Sequence, residues 1–419
     1  MNNPRPEILA PAGNPDKLKT ALHFGADAVY LGLREFSLRS FAGNFDFDEL
    51  EWGLAYAHER ERKVYVAVNI QPSDEDLEGI EAALKTLADL GPDGIIVADA
   101  GVIDLARRSC PDVPLHLSTQ ASVTNAGAAR FWLAQGIARI IAAREVSVDQ
   151  LAGLVRDAGG DIEAFVHGAV CIAYSGRCLL SLYWANRDPR RGACAQGCRW
   201  RYTELEDRRR PGQGNPVEED ERGTYFFDAK DLCGLPLLEP LLATGIHSLK
   251  IEGRTRSEHY VGTTVDVYLH AAKTIARGDV AGFRRLQPAY MTELGRASHR
   301  GFSTHFLSGR EPGPEAYNPQ GSYREGRYKG FLGRVTSRTD DYVDVALRNP
   351  VEPGAALELR DFGMQCEQTW AAPLVSTEGV TLDRAKSGDA IRLPGRFQAR
   401  PGALVRTSAQ PRVLDKDEA

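Results

Sequence analysis

From Glu7 to Ile251 the chain alternates short, β-branched apolar runs with longer amphipathic stretches, and that alternation restricts its possible folds to a few. Runs with strand character fall at Glu7–Leu9, Ala28–Leu31, Lys63–Val68, Gly94–Ala98, Leu115–Ser118, Arg139–Ala142, Ile162–Val166 and His247–Ile251. The segments between them open on helix-start residues, among them Asn14-Pro15, Asp46 to Glu49, Ser73 to Asp76 and Ser147 to Asp149. Strand–helix alternation builds parallel sheets, and eight such units in roughly 280 residues match a (β/α)8 barrel in count and size. An open, doubly wound sheet competes, but no G-x-G-x-x-G follows the first run. The expected fold class is therefore α/β, a TIM-like (β/α)8 barrel.

The seventh and eighth runs stand too far apart for one helix. Gly168 to Gly245 is an insertion of 78 residues, counting its final helix, and it holds five of the seven cysteines: Cys171, Cys178, Cys194, Cys198 and Cys233. The first two follow directly on the C-terminal end of the seventh run, the edge where barrels keep their active sites. The N-terminus, MNNPRPEILAPAG, has no apolar signal core, and no segment reaches transmembrane length, so a cytoplasmic protein away from membranes is expected. Reducing conditions turn clustered thiols from disulfides toward metal. Only Cys194 and Cys198 form a knuckle-like pair, which disfavours a zinc ribbon. An iron–sulfur cluster and a structural zinc both remain open, beside the plain reading of metal-free buried thiols.

At 419 residues the chain exceeds one ordinary core. Residues 1–299 are expected to form the barrel, with the metal-bearing insertion around 168–245, and 300–320 to form a linker through Arg310-Glu-Pro-Gly-Pro-Glu. From 321 to 407 the runs become short and turn-separated, at Gly330–Val335, Tyr342–Ala346, Ala356–Leu359 and Ala390–Leu393, which reads as a small all-β barrel or sandwich. Residues 408–419 form a polar tail. The net charge of −6 gives no whole-molecule attraction to nucleic acid, so RNA contact needs a local basic patch.

Several expected strand ends carry chemistry. His116 alternates with leucines, as a hydrogen-bonded interior histidine or a base would, and Gln120 follows as a polar end group. His167 closes the seventh run four residues before Cys171. Lys250, Glu252, Arg254 and Arg256 close the eighth; they suit capture of a carboxylate or phosphate, or a plain ion network holding the barrel end. Arg187 to Arg191 and Arg199-Trp200-Arg201-Tyr202 mix cations with rings, a combination that meets unpaired RNA. Arg208–Arg210 is offset by the acidic run Glu218–Glu221.

Taken together, Glu7-Ile-Leu-Ala-Pro-Ala-Gly13, His167-Gly-Ala-Val-Cys171, Tyr174-Ser-Gly-Arg-Cys178, Arg191-Gly-Ala-Cys-Ala-Gln-Gly-Cys-Arg199 and Leu249-Lys-Ile-Glu-Gly-Arg254 resemble the collagenase-like peptidase family U-thirty-two over nearly the whole chain. The small β domain is similar to one carried by that family's tRNA-modifying branch. The resemblance implies oxygen-independent hydroxylation of the wobble uridine in the tRNA anticodon region to 5-hydroxyuridine, with a [4Fe–4S] cluster and prephenate or a related dicarboxylate as hydroxyl source. Sister branches imply the alternatives, hydroxylation of a 23S ribosomal RNA cytidine or of a ubiquinone precursor. Carried over residue by residue, Cys171, Cys178, Cys194 and Cys233 match the cluster ligands, with Cys198 the alternative to Cys194. His167, Glu252 and Lys250 are the catalytic candidates; Arg254, Arg256, His116, Gln120, Arg191 and Arg199 are the substrate-binding ones. Proteolysis is disfavoured, since neither H-E-x-x-H nor G-x-S-x-G occurs and thiols held by metal are poor nucleophiles. A non-catalytic, metal-stabilised RNA-binding module is the remaining reading.

Overall fold

The computed structural model describes residues 5–37, 43–175, 177–195, 197–199, 219–220, 223–224, 229–310, 316 and 330–408. Parts of the expected linker (311–315 and 317–320) and tail (409–419), together with Trp200–Tyr202, Arg208–Arg210, Glu218 and Glu221, lie outside these residues. The chain divides into two compact units between 327 and 328.

Eight parallel strands close the first unit into a barrel: Glu7–Pro11, Ala28–Gly32, Lys63–Val68, Gly94–Val97, Leu115–Leu117, Ile137–Ile141, Asp161–Gly168 and Ser248–Ile251. The last of these completes the ring by pairing with both the first (Ile8 with Leu249) and the seventh (Ser248 with Glu163). Each of the eight barrel runs read from the sequence is a strand, with ends displaced by no more than two residues. The expected caps explain why helices start where they do. Asp46 and Glu49 form a reciprocal capping box, as do Ser73 with Asp76 and Ser147 with Gln150, which satisfies backbone N–H groups that a helix start leaves unpaired.

The barrel interior is not purely apolar. Glu163, on the seventh strand, is fully buried and bridges two cations: Lys250 Nζ donates to its Oε1 at 2.8 Å, and Arg139 Nη1 approaches its Oε2 at 3.3 Å. Arg139 also donates to Glu7 Oε1 at 2.6 Å, and Glu7 accepts from Tyr65 OH at 2.7 Å and Ser248 Oγ at 3.0 Å. Two carboxylates and two cations thus form a charge-balanced column along the barrel, each charge hydrogen-bonded to the next, as burial requires.

Within the insertion, strand Asp231–Cys233 runs antiparallel to the end of the seventh strand, placing Cys233 opposite His167. Asp231 is held from two sides, by Arg256 Nη2 at 2.6 Å and Arg300 Nη1 at 3.1 Å. Three further contacts seat the insertion on the strand ends. Arg190 O accepts from Gln71 N at 3.1 Å, Arg191 forks onto Asp76, and Ser175 Oγ accepts from Arg144 Nη1 at 2.9 Å.

The second unit is a seven-stranded antiparallel sheet in the order Gln365–Trp370, Ala356–Asp361, Leu404–Thr407, Phe331–Arg338, Tyr342–Leu347, Ala390–Pro394 and Val375–Ser376. Its core includes Val335, Val343, Val345, Leu357, Leu359 and Ile391. The sequence reading misses the strands at Gln365 and Leu404, and with them the two-residue strand at Val375. The first is a largely polar strand (QCEQTW) at the sheet's edge, and the second is only four residues long, so neither shows a clear period-2 pattern.

Glu163→Gln leaves Lys250 and Arg139 without their shared counter-charge. The variant is expected to lose about 3–5 kcal/mol of unfolding free energy, read from urea denaturation monitored by circular dichroism; an unchanged midpoint would contradict the buried column.

Candidate active site

A pocket opens at the C-terminal ends of the barrel strands. Seven of the eight strands contribute to its wall, through Tyr30, Ala67, Ile96, Ile141, Phe165 and Lys250 within strands and Ser118 to Gln120 just beyond the fifth. Asn69, Arg144, Glu252 and Arg254 continue the wall, and Cys171 and Ser175 cover it from the insertion. Strand ends supply polar side chains here because the chain leaves the sheet and the strict in–out alternation lapses.

Lys250 reaches the pocket from the top of the charge column, with its Nζ 4.5 Å from the centre of the Tyr30 ring. Burial pulls its pKa down while Glu163 pushes it back up, and the same pairing holds Glu163 below the usual carboxylate range against its own burial. Arg254 is buried, with Nη1 donating to Ser37 Oγ at 2.8 Å and its carbonyl accepting from Lys17 Nζ at 2.9 Å. Gly32 makes room for that guanidinium, since a Cβ there would stand 2.1 Å from Nη1. Glu252 pairs with Arg144 Nη2 at 3.1 Å, and Arg144 lies 4.0 Å over the Phe165 ring while also gripping Ser175. Arg144 therefore ties together the eighth strand, the pocket wall and the cysteine-bearing segment.

Gln120 is buried in the pocket wall. Ser118 Oγ accepts from the Gln120 backbone N–H at 3.4 Å and donates to its side-chain Oε1 at 3.1 Å, which fixes the amide and leaves Nε2 without a partner. A buried donor held in this way calls for an acceptor oxygen on whatever the pocket binds.

The structure gathers Lys250, Glu252, Arg254, Gln120 and Cys171 around the pocket but sends other candidates elsewhere. His116 lies within the barrel, edge-on to Tyr65 with ring centroids 4.6 Å apart. The bulge between Lys250 and Ile251 shifts the register, so that His167 pairs with Ile251. His167 packs among Tyr260, Tyr268 and Phe302, with Nδ1 3.3 Å from Tyr268 OH. Burial pushes both histidines down to about 3. Arg256 is spent on Asp231 and Arg191 on Asp76; only the backbone of Arg199 is described.

None of these thiols is joined in a disulfide. Cys171 is exposed, Cys178, Cys194 and Cys198 are half-buried, and Cys233 is buried against Tyr268 OH and Met291 Sδ, each 3.9 Å away. Soft thiolate donors are what an iron–sulfur cluster takes. As placed, they do not converge: among the described residues no group of three or more His, Cys, Asp or Glu side chains is disposed to hold a metal ion.

The model of Peptidase family U32 matches residues 13–316, which include seven of the eight barrel strands, the pocket and every cysteine of the insertion. The chain belongs to peptidase family U32. Among its relatives in the family, tRNA hydroxylation protein P1 of Bacillus subtilis (strain 168) is 39% identical over 91% of this chain and 90% of its own length. The 23S rRNA 5-hydroxycytidine C2501 synthase of Escherichia coli (strain K12) is 31% identical over 86% of this chain and 53% of its own. A protein named collagenase from Porphyromonas gingivalis (strain ATCC BAA-308 / W83) is 31% identical over 94% and 96%.

Within this U32 site, Arg144, Asn69 and Ser175 are not among the site residues expected from the sequence. Arg144 follows the sixth run and Asn69 the third by one or two residues, so a search two residues past every run would have found them.

The buried histidines set a pH dependence. Their folded pKa values lie far below the unfolded 6.5, so the unfolded chain takes up protons first as pH falls, and stability present above pH 6.5 drains away between there and about 3. Thermal melting is expected to drop already between pH 6.5 and 5, above the ordinary carboxylate range, and His167→Phe should flatten that slope; equal slopes in variant and wild type would contradict it.

Proposed function

We propose that the chain is an RNA-modifying hydroxylase that converts the wobble uridine of tRNA to 5-hydroxyuridine without molecular oxygen. The observation that carries the reading is the pocket itself, where buried cations, an orphaned amide donor and Cys171 meet at the active end of a barrel. The relatives name the chemistry. The chain spans 90% of a tRNA hydroxylation protein but 53% of a ribosomal RNA synthase, which favours tRNA over the ribosomal alternative.

In this reading Cys171, Cys178 and Cys233, with Cys194 or Cys198, would hold a [4Fe–4S] cluster once drawn together, and the cluster would supply redox or Lewis-acid chemistry there. Lys250 and Arg254 bind the carboxylates of prephenate or a related dicarboxylate, as buried cations do with least reorganisation. Gln120 Nε2 donates to a ligand carbonyl or carboxylate oxygen. Glu252, oriented by Arg144, accepts or returns the proton that leaves the ring carbon. His167 does not line the pocket, so proton transfer falls to Glu252. The collagenase relative invites a peptidase reading, but no histidine lines the pocket beside Cys171 to act as base.

In a strain lacking the gene and any parallel pathway, mass spectrometry of tRNA nucleosides should show loss of 5-hydroxyuridine derivatives. The wild-type chain should restore them, while Lys250→Ala and Arg254→Ala should restore them less well, by about tenfold or more. Undiminished derivatives in the deletion strain would overturn the proposal.

A further inference from the structure

Residues 171–199 of the insertion carry five arginines and one aspartate, a net charge of +4 in a chain whose total is −6. The same run holds an unusual amount of exposed apolar surface. Tyr183 is 77% exposed, Tyr174 56%, and Leu179 and Trp184 42% each. Among the described residues of the barrel unit only Phe47, Trp52 and Phe131 join them as large exposed hydrophobics. Scattered single exposures need no explanation, but four within eleven residues form a patch that calls for a partner.

The local fold shows how the patch is held out. Helix Leu180–Ala185 turns one side inward through Ser181, whose buried Oγ accepts from Ala195 N at 3.0 Å and lies 3.7 Å from Cys194 Sγ. Leu179 and Tyr183 stand one turn apart, with Tyr183 N donating to Leu179 O at 3.1 Å, so they share another face. The aromatic face is thereby pinned to the cysteine segment, and its neighbour Ser175 to the pocket through Arg144. Arg177 is exposed, and Arg190, also exposed, pairs with its near neighbour Asp188, a contact that exchanges readily for phosphate, while Arg191 stays forked on Asp76.

From this we infer that Tyr174, Tyr183 and Trp184 form a stacking platform for the unpaired bases of single-stranded RNA, with the surrounding arginines on its phosphates. Rings stack on any base, and cations neutralise the backbone, so clustered exposed rings in a locally basic run of an acidic protein fit an unpaired RNA loop better than a duplex. Apolar partners would leave the arginines unmatched. The inference rests on the RNA reading above and adds to it the surface on which the loop lies beside the pocket.

The test is fluorescence anisotropy of anaerobically purified full-length protein with a labelled RNA hairpin bearing an unpaired loop. Tyr183→Ala and Trp184→Ala are each expected to weaken binding by about 5- to 150-fold, Tyr183→Phe to keep it, and Phe131→Ala, which removes an exposed ring elsewhere, to change nothing. Arg177→Ala should lower the slope of log affinity against log salt by about one. Wild-type protein that binds no hairpin would overturn both the platform and the RNA reading. Wild-type binding with undiminished binding by the alanine variants would overturn the platform alone. So would variants that change the oligomeric state in light scattering while holding RNA normally, which would make the patch a self-association face.

Discussion

The buried carboxylate of Glu163 is the contact on which the molecule turns. It neutralises Lys250 and Arg139 at once, and Arg139 passes the compensation on to Glu7 and from there to Tyr65 and Ser248. A barrel interior filled only by aliphatic side chains would be easier to stabilise. What the charged column adds is a cation held at the pocket floor, with its position set by strands on both sides of the closure.

Everything above the column inherits that precision. The eighth strand delivers Lys250, Glu252 and Arg254 in sequence, and the seventh ends in a bulge that directs His167 toward Tyr260 and Tyr268 and pairs with the strand carrying Cys233. Gly32 is small because Arg254 lies against it. Arg144 joins Glu252 to Ser175 and so ties the wall of the pocket to the cysteine segment. The insertion is therefore docked by side-chain and backbone hydrogen bonds from at least two strand ends.

Much of the barrel is legible because its strands are buried on both faces and read as continuous apolar runs, and because helix caps such as Asp46 with Glu49 announce themselves locally. Site residues on or just past the eighth run, Lys250, Glu252 and Arg254, are legible because the run itself is. The rest depends on contacts distant in sequence. Nothing near Arg256 shows that it will meet Asp231, and nothing near His167 shows that a register shift against the eighth strand will re-aim it. Arg144 looks like any charged residue after a strand until its partners, 31 and 108 residues away, come into place. The convergence of cysteines that their crowding into one insertion and the family resemblance imply is likewise a tertiary property, and the described side chains do not display it.

Whether those thiols take iron decides whether this pocket is a redox site. Anaerobic iron and sulfide quantification on the wild type and on Cys171→Ala, Cys178→Ala, Cys194→Ala, Cys198→Ala and Cys233→Ala reads it directly. The expected result is about four irons and four sulfides per wild-type chain, a sharp loss in the Cys171, Cys178 and Cys233 variants, and a loss in one of the Cys194 and Cys198 pair. A colourless wild-type protein with one tightly held zinc, or with no metal, would contradict the assignment.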